Sequence, residues 1–267
     1  EGNVGKARNI GIENAEGEFL FFLDADDYIE NNALEKLYTA AKGKSADLVF
    51  CGYRKEKEKG EVIFQYTELF DYYKDTENGV KVLQDFLIGT IWICIISVLF
   101  SRQIAIQNGI RFSEKYSSGE DQCFIMHFLY YSKIVFSYNE ILSIYFAHSL
   151  GLSSSKKVFE SIYLFEDFIE FLKKNPSSIE ENITEKIIKL IRNYKIPYLF
   201  GRSFYRFAKD KTYADFKKLK KSKEALLRKY KLKISPKNRH SKFGVYGYFL
   251  LRYIPVLFYC FSKVCKY

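Results

Sequence analysis

The chain holds 267 residues, 48% of them hydrophobic and 28% charged, with 15 Gly and 4 Pro. That balance sustains a packed core and excludes wholesale disorder, collagen-like repeats and low-complexity classes. The net charge of +10 is unevenly placed: residues 1–200 carry 23 Lys+Arg against 29 Asp+Glu, and residues 201–267 carry 19 against 3, so an acidic globular part precedes a basic part suited to an anionic lipid or nucleic-acid surface.

The first predicted element is a helix from Lys6 to Ala15, closed by Gly17. Phe19 to Leu23 is an apolar run without polar breaks, and it predicts a buried strand in a sheet covered on both faces. It ends at Asp24-Ala25-Asp26-Asp27, the strand edge at which open α/β sheets bind ligands. Asn32 followed by Glu35 predicts a capping box for a helix over 33–42, with Gly43 as its stop. Ala46 to Tyr53 predicts a second strand, Lys55 to Gly60 a charged turn, and Gly79 to Leu87 a helix. Thr90 to Phe100 is strongly apolar but too short to span a bilayer, so it is assigned to the core. Ser118 is expected to cap a helix running from Glu120 to about Tyr131, and 134–138 and 141–146 read as short strands.

The pattern changes near Leu152. Helices are predicted over 159–174, 184–194 and 211–230, followed by an aromatic and apolar stretch over 243–265 interrupted by Arg252, Pro255 and Lys263. The five cysteines, 51, 94, 123, 260 and 265, are odd in number and lack zinc-type pairing, which suits a reducing cytosol. The aromatic content of 18% fits sugar-binding, membrane-interface or core surfaces, and equally an AT-rich codon bias.

Asp24 and Asp26 carry the most specific chemistry. An Asp-x-Asp at a strand end can place two oxygen donors on one hard cation, Mg²⁺ or Mn²⁺, that also bridges phosphates. A polar turn would use the same residues. The surrounding pattern decides between the two. Asn3-Val4-Gly5-Lys6-Ala7-Arg8-Asn9-Ile10-Gly11, then Gly17-Glu18-Phe19, then Phe22-Leu23-Asp24-Ala25-Asp26-Asp27 closely resembles the family 2 glycosyltransferases. Leu34 to Tyr38, Gly109-Ile110-Arg111-Phe112 and Gly119-Glu120-Asp121 with Phe124 continue the match in order, over roughly residues 1–155.

The resemblance implies an α/β fold of the GT-A (Rossmann-like) type, here N-terminally truncated and followed by a C-terminal helical extension. It implies a partial catalytic domain over 1–155; the charge and residue pattern beyond it predict a basic helical extension over 156–235 and an aromatic, apolar membrane-associating tail over 236–267. Asp24 then faces the nucleotide and metal, and Asp26 is the main ligand of Mn²⁺ or Mg²⁺ on the diphosphate. Asp121 is the catalytic base with Glu120 its acidic neighbour. Asn3 and Arg8 approach the nucleotide, although Arg8 equally fits a structural ion pair. His148 occupies the place of a basic residue that meets the metal or diphosphate, or is a surface histidine. Trp92 either stacks on a sugar or fills core.

The implied activity is an inverting transfer of sugar from a nucleotide-diphosphate donor, a UDP-sugar, to a saccharide or lipid-linked acceptor in bacterial surface polysaccharide synthesis. The implied location is cytoplasmic, peripheral on the inner face of the cell membrane. The strand-helix-strand portion that forms the family's nucleoside pocket precedes the matched motifs and is not in the sequence, so a fragment that binds UDP-sugar poorly is expected. Two other readings stand beside this one: a catalytically inactive, membrane-bound remnant, and nucleic-acid binding through Lys217 to Lys233. The second lacks any recognition motif, and a solvated helix face explains the run equally well.

Overall fold

The computed structural model describes residues 3–57, 60–116, 118–147, 159–176, 182–230, 232–233 and 239–264. The chain divides into two compact units: residues 1–86 with 90–152, and residues 87–89 with 153–267.

The first unit is a mixed sheet with helices on both faces. Its strands are β1 (Phe19–Phe21), β2 (Tyr28–Ile29), β3 (Leu48–Glu56), β4 (Val62–Gln65), β5 (Val98–Ser101) and β6 (Val135–Phe146), in the order β1-β5-β3-β6-β2 with β4 added to β3. β3 lies at the centre and is buried over almost all its length. It pairs parallel with β6 and antiparallel with β5, which in turn pairs antiparallel with β1. Two reversals therefore leave β1, β3 and β6 running the same way, with their carboxyl ends on one edge. After Phe21 the chain passes along that edge to β2, which pairs with Ser143 and Ile144 of β6. Asp24 to Asp27 lie on this passage.

One face is covered by α2 (Ala33–Lys44), whose Ala33, Leu37 and Ala41 pack with Val49, Cys51, Leu99 and Leu142. The other face is an aromatic cluster. Phe22, Phe100, Phe112, Phe124 and Phe128 meet edge-on or stacked, with the Phe112 and Phe124 rings 4.1 Å apart at 3°. This cluster seats α5 (Glu120–Tyr131), which supplies Phe124 and Phe128.

Several local expectations are corrected. The strand predicted over 19–23 is three residues long, antiparallel to its neighbour and only half-buried at Phe19 and Phe21. Leu23 is exposed because the chain has already left the sheet. Asn32 makes no side-chain cap, and α2 runs past Gly43 to Lys44 before Ser45 turns left-handed at φ 50°. Gly119, at φ 88°, is the residue before α5 in place of Ser118. Only glycine takes that angle without strain. The two strands expected over 134–146 are a single strand, because β6 bulges between Tyr138 and Ile141 and between Ile141 and Ser143 while its pairing with consecutive residues of β3, Cys51 to Tyr53, continues. Lys55 and Glu56 belong to β3 rather than to a turn.

The second unit is helical: α6 (Glu160–Lys174), α7 (Ile183–Leu190), a π-helical segment (Ile191–Lys195), α8 (Ile196–Asp210), α9 (Tyr213–Ser222), α10 (Glu224–Lys229), α11 (Arg239–Tyr253) and α12 (Pro255–Val264). The helix expected over 211–230 is thus two, α9 and α10, with Lys223 between them. Phe165, Phe168, Phe200, Phe204, Phe216, Tyr248, Leu251 and Phe258 are buried in its interior. Lys195 is buried there too, its ammonium 5.7 Å from the Phe165 ring centre.

Candidate active site

The first helix, α1 (Val4–Asn14), shows why its residues are spaced as they are. Asn3 is its N-cap: the side chain accepts from the Lys6 amide at 3.1 Å and donates to the Glu114 carbonyl at 3.0 Å. Gly5 faces Ser113, whose carbonyl oxygen would lie 2.7 Å from any Cβ added there. Asn9, buried, clamps the backbone of a single residue from both sides, donating to the Phe112 carbonyl at 3.0 Å and accepting from the Phe112 amide at 2.8 Å. Cap, close approach and clamp fix α1 against residues 112–114, the segment leading into α5.

Arg8 is thereby held at a defined place. Its Nη2 donates to Asp24 Oδ1 at 2.6 Å and its Nη1 to Glu120 Oε1 at 3.3 Å. The guanidinium lies over the Phe112 ring, 5.2 Å from its centre. One cation thus ties the turn after β1 to the first turn of α5. Its side chain is 10% exposed, against 38% for Asp24 and 16% for Glu120. A fork that reaches two carboxylates from a fixed base suits Arg and not Lys.

The acidic turn is differentiated by burial. Asp27 is buried, accepts from the Phe146 amide at 2.8 Å, and closes the end of β6. The Asp27 amide donates to the Asp24 carbonyl at 3.1 Å, making the turn tight. Asp26 is exposed, and Asp24 is half-exposed with one oxygen on Arg8.

Asp121 sits half-buried in the first turn of α5, its Oδ1 accepting from the Gln122 amide at 2.7 Å. Burial, and next the charge of Glu120, push its carboxyl up to about 6, with Asp24 adding to the rise and the Gln122 amide and Arg8 opposing it. Cys94 and Tyr145 were not singled out from the sequence, and both belong here. The Cys94 thiol is pushed up to about 12 by burial and then by the Asp121 charge, with Asp27 also contributing. The Tyr145 hydroxyl is raised by burial and then by Asp27, Cys94, Asp26 and Asp24. Lys55 Nζ stands 5.2 Å from the centre of the Tyr145 ring. Nothing in the sequence pattern marks a lone Cys in an apolar run or a Tyr in a strand. The only available signal was that β6 ends at the acidic edge.

Of the residues expected to act, Arg8, Asp24, Glu120 and Asp121 are brought together, with Asp26 on the same turn. Asn3 is engaged in capping. His148 lies outside the described residues. Trp92 stacks on Phe86 at 5.0 Å between ring centres.

A carboxyl-edge acidic turn on a mixed α/β sheet, facing a carboxylate at a helix start, accords with the GT-A fold. Residues 1–100 match the family described as glycosyl transferase family 2. The poly(ribitol-phosphate) beta-N-acetylglucosaminyltransferase TarP of Staphylococcus aureus is 31% identical over 133 residues, 49% of this chain and 38% of that protein. The cholesterol galactosyltransferase of Borreliella burgdorferi is 27% identical over 74% of this chain and 55% of its own length. The chain therefore spans about half or less of these relatives. The crystal structure of S. aureus TarS 1-349 superposes with a TM-score of 0.55 at 17% identity, covering 94% of this chain and 71% of that one. The same TarS fragment in complex with UDP-GlcNAc gives a TM-score of 0.56.

Proposed function

We propose that the chain carries the catalytic edge of an inverting glycosyltransferase that uses a nucleotide-diphosphate sugar and extends a bacterial cell-surface glycan. The observation that carries this reading is the joining of the Asp24–Asp27 turn to the Glu120–Asp121 helix start through Arg8. Both halves of the chemistry, a phosphate-side acidic turn and a base, are thereby held at fixed separation. In such a transfer the acceptor hydroxyl attacks the anomeric carbon from the face opposite the leaving diphosphate. Asp121 receives the hydroxyl proton as the new bond forms and the bond from the sugar to the diphosphate breaks. Its elevated proton affinity suits that role near neutral pH. Solved structures of TarS in complex with UDP and with UDP-GlcNAc support a UDP-sugar as donor. The relatives act on acceptors as unlike as poly(ribitol phosphate) and cholesterol, so the family pattern leaves open both a saccharide and a lipid-linked acceptor.

The acidic turn fits Mg²⁺ or Mn²⁺ of the open kind, in which one or two carboxylates share the cation with substrate phosphates. Asp26 and the second oxygen of Asp24 would hold it. Among the described residues no three His, Cys, Asp or Glu side chains form a cage by themselves, so the donor's phosphates would complete the shell. A bound cation would supply neutralisation of charge developing on the leaving diphosphate.

The test uses the full-length gene product and measures UDP release with UDP-sugars, with and without Mn²⁺. Asp26→Ala is expected to abolish turnover. Full activity in EDTA defeats the cation, and full activity of Asp26→Ala defeats the assignment of that residue. On this reading the enzyme works at the cytoplasmic face of the membrane, where lipid-linked acceptors are assembled.

A further inference from the structure

Helices α11 and α12 carry apolar residues on two sides. One side is buried within the second unit: Tyr248, Leu251 and Phe258 are 2%, 0% and 0% exposed. The other side is open. Tyr246, Phe249, Tyr253, Ile254, Val256 and Leu257 all count among the exposed large apolar residues, at 62%, 51%, 64%, 46%, 56% and 51%. A soluble surface rarely gathers six such residues within one short stretch without a use for them.

The charged side chains in this stretch do not break the open side. Arg252 turns back, donating to the carbonyls of Leu227 and Tyr230 and to the Tyr248 hydroxyl. Lys263 likewise turns to the carbonyls of Lys209 and Lys211, both at 2.9 Å. Both cations satisfy carbonyls near helix C-termini, where positive charge is favoured. From Tyr246 to Ser262 the exposed positions are therefore aromatic, aliphatic or Cys260. The neighbouring helix α9 packs on α12 through Phe216 and Tyr213, and it exposes Lys217, Lys218 and Lys221.

We infer that the open face of α11 and α12 is a docking surface for an anionic lipid bilayer, which α9 approaches with its lysines at headgroup level. Tyr and Phe rings beside aliphatic side chains suit the boundary between headgroups and acyl chains. Lysines next to them are drawn to an anionic leaflet. The competing occupant, a second copy of the chain, is disfavoured by charge. A two-fold contact would bring together two segments that each hold 19 Lys+Arg against 3 Asp+Glu. No helix among the described residues is long and apolar enough to cross a membrane, so the contact is one of lying on the surface. Arg252, which interrupts the apolar run in sequence, turns away from the open face to Leu227, Tyr230 and Tyr248. The inference rests on this surface and not on the catalytic reading.

The experiment is co-flotation of the full-length gene product with vesicles of phosphatidylcholine alone and with 30% phosphatidylglycerol, at low and high salt. Binding to the anionic vesicles, at least tenfold weaker in Phe249→Ser/Tyr253→Ser/Leu257→Ser and weakened by salt, is expected. A second variant, Lys217→Gln/Lys218→Gln/Lys221→Gln, leaves the apolar face intact and is expected to lose the preference for anionic vesicles. Size-exclusion chromatography with light scattering runs beside both. Absence of wild-type binding, or equal binding by the triple-serine variant with an unchanged melting curve, overturns the proposal. So does a dimer that the triple-serine variant dissociates in the absence of vesicle binding. UDP release measured on the same samples separates a failure of docking from a failure of catalysis.

Discussion

The two units break the usual inside-outside rule in opposite senses. At the carboxyl edge of the sheet, a guanidinium 10% exposed and a carboxylate 16% exposed are drawn inward and paired. On α11 and α12, six large apolar side chains are turned outward while the cations fold back on carbonyls. Burying charge is costly unless it is partnered, and exposing apolar surface forgoes stabilisation of about 25 cal/mol per Å². Both costs are concentrated where a ligand is expected: phosphates and a hydroxyl at the first, a lipid surface at the second. The consequences for mutation differ accordingly, since the first region is expected to lose turnover or stability on small changes and the open face of the second to lose vesicle binding with little change in stability.

The largest effect is expected at Asp121. Asp121→Asn keeps shape and position while removing proton affinity. Turnover of the full-length product should fall about 10²–10⁴-fold with donor affinity, read by calorimetry, largely kept. Near-normal turnover would remove the base from the site and leave only a structural acid at a helix start.

Next comes Asn9. Asn9→Ala leaves the Phe112 amide and carbonyl without their side-chain partner in a buried place, at a cost of about 2–3 kcal/mol. A drop in thermal midpoint is expected. The same variant should lower activity through Arg8, because α1 holds that residue in place. An unchanged midpoint would show that the clamp is dispensable.

A smaller, pH-dependent effect follows from Asp121 itself. Its carboxyl is raised in the folded state from 3.8 to about 6, so the folded protein holds this proton more tightly than the unfolded chain. The stability it contributes is present below pH 3.8 and is lost as pH rises to about 6. Between those limits Asp121→Asn should flatten the fall in stability, which amounts to about 3 kcal/mol in all, read as melting temperature against pH. Activity should run the other way, rising with pH through about 6 as the base ionises. Parallel pH slopes for the variant and wild type would refute the shift.

The smallest effect sharpens the contrast. Leu257→Ala, at an exposed position, should change stability by no more than about 0.5 kcal/mol. Leu251→Ala, buried one turn and a half earlier on the adjoining helix, should cost about 2–5 kcal/mol. A large loss at Leu257 in denaturant titration would mean that its face is covered after all.

Much of the site was legible before any fold was known. Asp24, Asp26, Arg8, Glu120 and Asp121 stood out because residue type and short spacing carry their chemistry, and the ordered motifs from Asn3 to Phe124 fixed the GT-A expectation. Helix positions were read to within a few residues, since helical periodicity is local. What the sequence could not show depends on partners distant along the chain. Asn32 stands at the expected N-cap position of α2 but makes no side-chain cap, its ψ of 9° not being extended, and Gly119 took the left-handed position before α5 in place of Ser118. The continuity of β6 was hidden because it depends on pairing with β3 that persists across the bulges in β6. Cys94 and Tyr145 became site residues only when a core segment and a strand end met the acidic turn. Arg252 reversed its meaning in the same way. As a letter it interrupted an apolar run, and only packing against the end of α10 showed that its charge is spent on carbonyls. The sequence alone determined which chemical groups the protein has and the local pattern that presents them. Tertiary structure decided which of those groups are buried together and which stay exposed, because burial and pairing are set by contacts between segments far apart in the chain.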